Sequence, residues 1–167
     1  MLQTGMPCTR PWKAGSARRR YNVLIYAADE DSPFHSACLP QLENQRIRSD
    51  AWYTTWPILY EFLRVTTHLR VMRRPWSIAD AWQFVAALLA SPGLGLLVPA
   101  HRQADVAGEV IREIPHLAGN LLHDAHTAIL MREHGIRRSC TRDTDFHRFP
   151  FLEVIDPLHQ YMPLPSF

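Results

Sequence analysis

Between residues 120 and 157 the hydrophobic rhythm of the chain changes twice, and this limits the fold more than any other feature. From Ala125 to His134 the apolar positions Ala125, Ala128 and Ile129 recur at helical spacing, with a mixed outer face. Asp124 stands at the N-terminal end of that helix, where a carboxylate accepts free backbone N–H groups and complements the dipole. Gly135 is a natural stop, because it takes the left-handed cap conformation without penalty. Residues 136–141 then read as a strand, 141–146 as a loop and 152–155 as a second strand. If the helix and both strands belong to one α/β sheet, Asp124, Asp143 and Asp145 gather at one end of it. Ligands in such sheets bind at the strands' carboxyl ends.

Within this stretch several short motifs follow one another. Asp124-Ala125-His126 opens the helix and Glu133-His134-Gly135 closes it. Thr141-Arg142-Asp143-Thr144-Asp145-Phe146, Arg148-Phe149-Pro150 and Val154-Ile155-Asp156-Pro157-Leu158 come next. In this order and at this spacing they resemble the C-terminal half of the PIN domain, specifically the VapC group of toxin ribonucleases from type II toxin–antitoxin systems. The resemblance resumes over residues 22–43, beginning at Asn22-Val23-Leu24-Ile25-Tyr26. Composition alone reads residues 23–27 as a strand; the resemblance implies that they begin a helix.

The resemblance implies a three-layer α/β/α fold with a mainly parallel central sheet over residues 21–158. It implies an acidic ligand in the helix containing Glu61, whose surroundings YEFLRVTTH match; composition alone reads Glu61 as a surface residue. The implied activity is cleavage of RNA phosphodiester bonds with Mg²⁺ or Mn²⁺, hard cations that take carboxylate oxygens and keep coordinated water. Asp124 and Asp143 would be direct or water-mediated metal ligands, and Asp145 and Glu61 outer ligands or water orienters. Asn22, Thr141 and Arg142 would lie near the substrate. A cognate VapB-type antitoxin and homodimerisation are further implications.

The chain departs from this pattern at its start. The family has a strand ending in Asp two positions before the Asn, whereas Arg20 stands there, and the preceding SARRR has no apolar residue larger than Ala. That suits a buried central strand poorly. Asp29 and Asp31 are the nearest acids, read either as solvated turn residues or as substitute ligands. Residues 1–20 contain no acid and end in Arg18-Arg19-Arg20, with Pro7 and Pro11 discouraging regular structure. Such a start overlaps with organellar transit peptides, but a poorly ordered basic segment foreign to the domain is the preferred reading. Residues 159–167 form a tail. Two classes of function follow: an active ribonuclease impaired by Arg20, or a degenerate module that binds an antitoxin without efficient cleavage.

The middle of the chain is mostly helical by pattern. Residues 51–68 predict a helix entered near Thr54-Thr55, with Pro57 tolerated in its first turn. Its apolar face holds Ile58, Phe62 and Val65, joined by Leu59 and Leu63. Residues 77–90 predict a helix capped by Ser77 and Asp80, with Ile78, Ala81, Trp82, Val85 and Leu89 inward. Residues 81–100 carry no charge, the length of a membrane span, but Ser91-Pro92-Gly93 breaks them. A core helix followed by a buried strand at 96–98 is expected instead, then a helix over 103–114. Gly93-Leu94-Gly95 lacks the third glycine and the preceding strand of a dinucleotide fingerprint.

At 167 residues, 47% apolar and 20% charged, the chain is sized and composed for one globular domain. A net charge of +2 does not by itself demand a polyanionic partner. Three cysteines, without a CxxC, cannot close a disulfide set and fit a reducing cytoplasm. Cys140 reads as a buried inert thiol, the tryptophans as core and interface filler, and His123 and His126 as helix-start packing or groups behind the ligands. Arg132, Arg137, Arg138, Arg142 and Arg148 surround the acidic loop, as either a solvated rim or an RNA-backbone contact.

Overall fold

The computed structural model describes residues 23–158, and over that span short strands alternate with helices. The order is α1 (Val23–Ala28), α2 (His35–Ile47), β1 (Trp52–Thr55), α3 (Trp56–Thr66), α4 (Ile78–Leu89) and β2 (Leu94–Leu97). There follow α5 (Gln103–Glu113), α6 (Leu121–Glu133), β3 (Arg138–Cys140), a 3-10 turn (Thr144–Arg148) and β4 (Glu153–Ile155). The basic segment 1–20, Asn22 and the tail 159–167 lie outside the described residues. No described helix is long and apolar enough to cross a membrane.

Both strand pairs are parallel, β1 with β2 and β3 with β4, and each is joined through intervening helix or turn. This is the α/β class expected, although among the described residues the strands form two separate pairs and not one sheet. Residues 23–28 are helical, as the resemblance implies and against their composition. Residues 52–55, expected as helix, are strand. Thr55 marks the change: its side chain accepts the Ile58 N–H at 3.4 Å, and Pro57 in the first turn has no N–H to extend the helix backwards.

Two corrections concern the uncharged segment. Ser77 caps α4, its Oγ accepting the Asp80 N–H at 3.1 Å, but Ile78 and Trp82 are not inward; they are 64% and 47% exposed. The buried stripe of α4 is Ala81, Val85 and Leu88. The following strand is Leu94–Leu97, and Val98 lies at the surface. Its glycines serve packing. A Cβ on Gly93 would sit 2.3 Å from the Asp50 carbonyl oxygen, and one on Gly95 would sit 2.7 Å from the Tyr53 ring across the strand pair.

Two main cores result. The first joins α1, α2, α3 and α4 around Phe62, whose ring stacks on Phe84 at 4.8 Å and meets Trp76 edge-on at 6.0 Å. The second joins Val106 and Val110 of α5 to Ala125, Ala128 and Ile129 of α6, with Phe146 and Phe149 closing over them. The expected apolar positions of α6 are thus all buried. Small residues at 125 and 128 leave room for the two rings. A third, smaller cluster of Leu97, Leu130 and Met131 fastens the end of β2 to α6.

Phe149 is fully buried, so Phe149→Ala removes its packing and leaves a cavity. We expect a loss of roughly 3–5 kcal/mol of unfolding free energy, read by urea denaturation. A loss below about 1 kcal/mol would show that the second core does not depend on this ring.

Candidate metal and nuclease site

Three aspartates are brought together at one edge of the second core. Asp124, Asp143 and Asp145 each offer a carboxylate oxygen, and these atoms all lie within 4.8 Å of one another. Asp124 comes from the first turn of α6, which begins at Leu121; it therefore sits inside the helix, not at its cap. Asp143 precedes the 3-10 turn and is only 7% exposed. Asp145 lies in that turn.

The loop holds itself in shape. The Thr141 hydroxyl accepts the Asp143 N–H at 3.0 Å, and the Asp143 carboxylate accepts the Asp145 N–H at 2.9 Å. These two contacts turn the chain sharply just beyond β3, where Thr141 N–H also donates to the Ile155 carbonyl at 3.0 Å. Phe146 then enters the second core and fixes the turn against α6. The aspartates are thus positioned by backbone that is itself anchored.

Like charges at this spacing oppose one another by about 3–4 kcal/mol per pair at an effective dielectric of about 20. An oxygen-only donor set with one deeply buried carboxylate fits a hard divalent cation such as Mg²⁺ or Mn²⁺. The residues that would hold it are Asp124, Asp143 and Asp145.

Glu61, the fourth acid expected here, is not part of this cluster. Its two carboxylate oxygens take a fork from Arg64, at 2.8 Å from Nε and 2.6 Å from Nη2. The i,i+3 spacing on α3 that brings the pair together is visible in sequence, but the resemblance drew attention to the acid and not to its cation. Asp31 faces Arg74 at 3.2 Å and Glu30 meets the same guanidinium at 3.1 Å, a surface arrangement. Asp29 accepts the Asp31 N–H, so both aspartates act as turn residues here. His123 is exposed and His126 half-buried, and neither belongs to the cluster.

The arginines divide by partner. Arg148 reaches Asp145 at 3.2 Å, and Arg142 reaches Asp156 at 3.3 Å while lying 4.3 Å over the Phe34 ring. Arg138 pairs with Glu153 across the strands at 3.0 Å. Arg132 turns away from the loop to Glu113 at 2.6 Å and Glu109 at 3.4 Å, resting on Phe151. Its hydrogen bond holds the Glu113 carboxyl below its ordinary range.

Neither described cysteine is poised as a nucleophile. Burial, with a smaller contribution from the charge of Cys140, pushes the Cys38 thiol up to about 11. Cys140 has an exposed surface, contrary to expectation, yet desolvation still raises its thiol.

The motif Glu133-His134-Gly135 has a structural part that the sequence alone did not disclose. Glu133 Oε2 accepts the Ala100 N–H at 3.0 Å, and the His134 Nε2 lies 2.8 Å from the Val98 carbonyl oxygen. Gly135, at φ +71°, takes the left-handed conformation expected of it.

The PIN domain profile matches residues 22–152 of the chain. The chain is also 29% identical over 136 residues to Ribonuclease VapC48 of Mycobacterium tuberculosis, covering 81% of this chain and 93% of that protein. Ribonuclease VapC37 of the same organism is 34% identical over 129 residues, 77% of this chain and 88% of the relative. Ribonuclease VapC33, also from that organism, is 30% identical over 150 residues, 83% and 96% respectively.

Relief of carboxylate repulsion predicts an inversion between apo and metal-loaded stability. Asp143→Asn should leave the apo protein as stable as the parent, or more so, while losing most of the rise in Tm that Mn²⁺ produces. Differential scanning fluorimetry with and without Mn²⁺ checks this. An undiminished Mn²⁺ shift in Asp143→Asn and in Asp124→Asn would remove both from the ligand set.

Proposed function

The chain belongs to the PIN domain family, and from that premise we propose that Asp124, Asp143 and Asp145 are the metal-holding residues of a VapC-like endoribonuclease toxin. Three gathered carboxylates carry this reading; ribonuclease is also the activity named for the relatives. A divalent ion held there supplies neutralising charge, an activated water and stabilisation of the leaving oxygen. The chain's own residues set the geometry. Asp143 is buried and its N–H is held by the Thr141 hydroxyl, while Asp145 pairs with Arg148 at 3.2 Å. Thr141 and Arg142, at the strand end, would contact the RNA substrate, as would Asn22.

Mg²⁺ or Mn²⁺, a VapB-type antitoxin covering the cleft, homodimerisation and a cytoplasmic setting complete the proposal. Glu61 remains a proposed outer ligand that would first have to leave Arg64, an exposed pair of modest worth.

The position occupied by Arg20 favours a second reading, that of an impaired nuclease. Arginine has no acceptor and cannot supply an oxygen ligand. Arg20→Asp should therefore tighten Mn²⁺ binding and speed RNA cleavage. Replacing residues 14–21 by an apolar strand ending in Asp should do more. Equal Mn²⁺ affinity and rate in parent and both variants would remove the impairment. Asp29 or Asp31 would then become the leading substitute.

The direct test is cleavage of total RNA with Mg²⁺ or Mn²⁺ and sequencing of the new ends. Asp124→Asn and Asp143→Asn should each lower the rate by at least about a hundredfold, the equivalent of about 2.7 kcal/mol. EDTA should abolish cleavage. Cleavage that persists in both variants and in EDTA would refute the metal mechanism.

A further inference from the structure

A cleft of about 490 Å³ opens between β4 and the 141–147 loop, the loop that also carries Asp143 and Asp145. Its size lies in the range of small-ligand sites, about 300–1,000 Å³. Val154 and Ile155 give it aliphatic surface, His147 an exposed ring, and Thr144 a hydroxyl. Its charged members are Arg142 and Asp156. We propose that this cleft seats one unstacked nucleobase of the RNA, that of a nucleotide next to the scissile phosphate. The proposal rests on the nuclease reading above and names the substrate group that the site selects.

The first support is continuity. Thr141 lines the cleft and also accepts the Asp143 N–H, and Thr144 lies between Asp143 and Asp145 in the chain. A phosphate at the carboxylates and a base in the cleft would thus be held by residues of one short loop.

The second support is charge. An anion is poorly served, because the guanidinium of Arg142 is already met by Asp156 at 3.3 Å. A second phosphate would bring its charge against the same carboxylate. A neutral base with donors, acceptors and a flat face meets no such conflict. Sequence-selective proteins hold single-stranded RNA in this way, stacking splayed bases on aromatic or guanidinium planes and bonding their edges.

The third support is preorganisation. Arg142 is held on one side by the Phe34 ring, 4.3 Å from its centroid, and on another by Asp156. Asp156 Oδ1 in turn accepts the Leu158 N–H at 2.9 Å. This wall of the cleft is thus fixed before RNA arrives, and little ordering of it remains to be done on binding.

The test uses the full chain and fluorescein-labelled RNA pentamers, intact or with one abasic nucleotide at each position in turn. Binding is measured by anisotropy in Ca²⁺, with Mn²⁺ cleavage of the same oligonucleotides read in parallel. In the parent, one abasic position should weaken binding about tenfold, in the range of a single stacked base. His147→Ala should reduce that penalty, and Val154→Trp, which fills the cleft, should abolish it. Far-ultraviolet circular dichroism and melting verify that both variants fold. Equal binding of intact and abasic RNA by the parent, with Mn²⁺ cleavage retained, overturns the seat and leaves the nuclease. A position-specific penalty removed by Val154→Trp, without any cleavage, supports the seat and overturns the nuclease reading. Competition by inorganic phosphate at the same strength for intact and abasic RNA identifies an anion site and overturns the proposal.

Discussion

Repulsion among three carboxylates is the constraint around which the second half of this protein is arranged. Bringing their oxygens within 4.8 Å costs about 3–4 kcal/mol per pair in the absence of a cation. Hydrophobic burial works against that repulsion, since Phe146 and Phe149 close over Ala125, Ala128 and Ile129, and Arg148 relieves Asp145 at 3.2 Å. The rings lie beyond the aspartates in the chain, so the loop carrying the charge is stretched between a strand pair and a packed core. The acids stay together because their backbones have nowhere else to go.

Much of this was legible because helix and strand periods differ. The α6 stripe, the Gly135 stop and the strand–loop–strand order after it could all be read from residue spacing. The approach of Asp124 to Asp143 followed only on the condition that the helix and both strands share one sheet, since it depends on which faces of α6 and the 3-10 turn meet. The helix entry near Thr54-Thr55 was legible, because Thr55 is its cap; the span from 51 ran too far back, since Trp52 and Tyr53 are strand, as aromatic residues favour. At α4 Ala81 and Val85 are buried as expected, with Leu88 completing the stripe; Asp80 and Gln83 alone mark the outer face, so the equally apolar Ile78 and Trp82 could not be told from core residues. Glu61 illustrates another limit. Its neighbour three residues on, Arg64, occupies it locally, and no periodicity argument weighs a local partner against a distant ion.

Charge pairing also sorts the basic residues, which sequence alone left as a uniform rim. Arg132 and Arg138 meet carboxylates of α5 and β4, so they join secondary elements. Arg148 turns onto Asp145, whereas Arg142 reaches from the same loop to Asp156 and Phe34. Exposed pairs of this kind contribute little stability each. Their effect is on direction, since each fixes where a long side chain points when RNA approaches.

Helix α6 behaves mechanically as a beam pinned near both supports. Its far end is bonded to the segment leaving β2, through Glu133 to Ala100 and His134 to Val98, while its near end bears Asp124. Thirteen residues of helix span about 20 Å at 1.5 Å per residue. Asp124 and Glu133 are nine residues apart, about 14 Å along the axis. One rigid element therefore carries both the carboxylate and the anchor to residues 98–100, so the position of the acid is set from the opposite side of the fold as well as from its own loop.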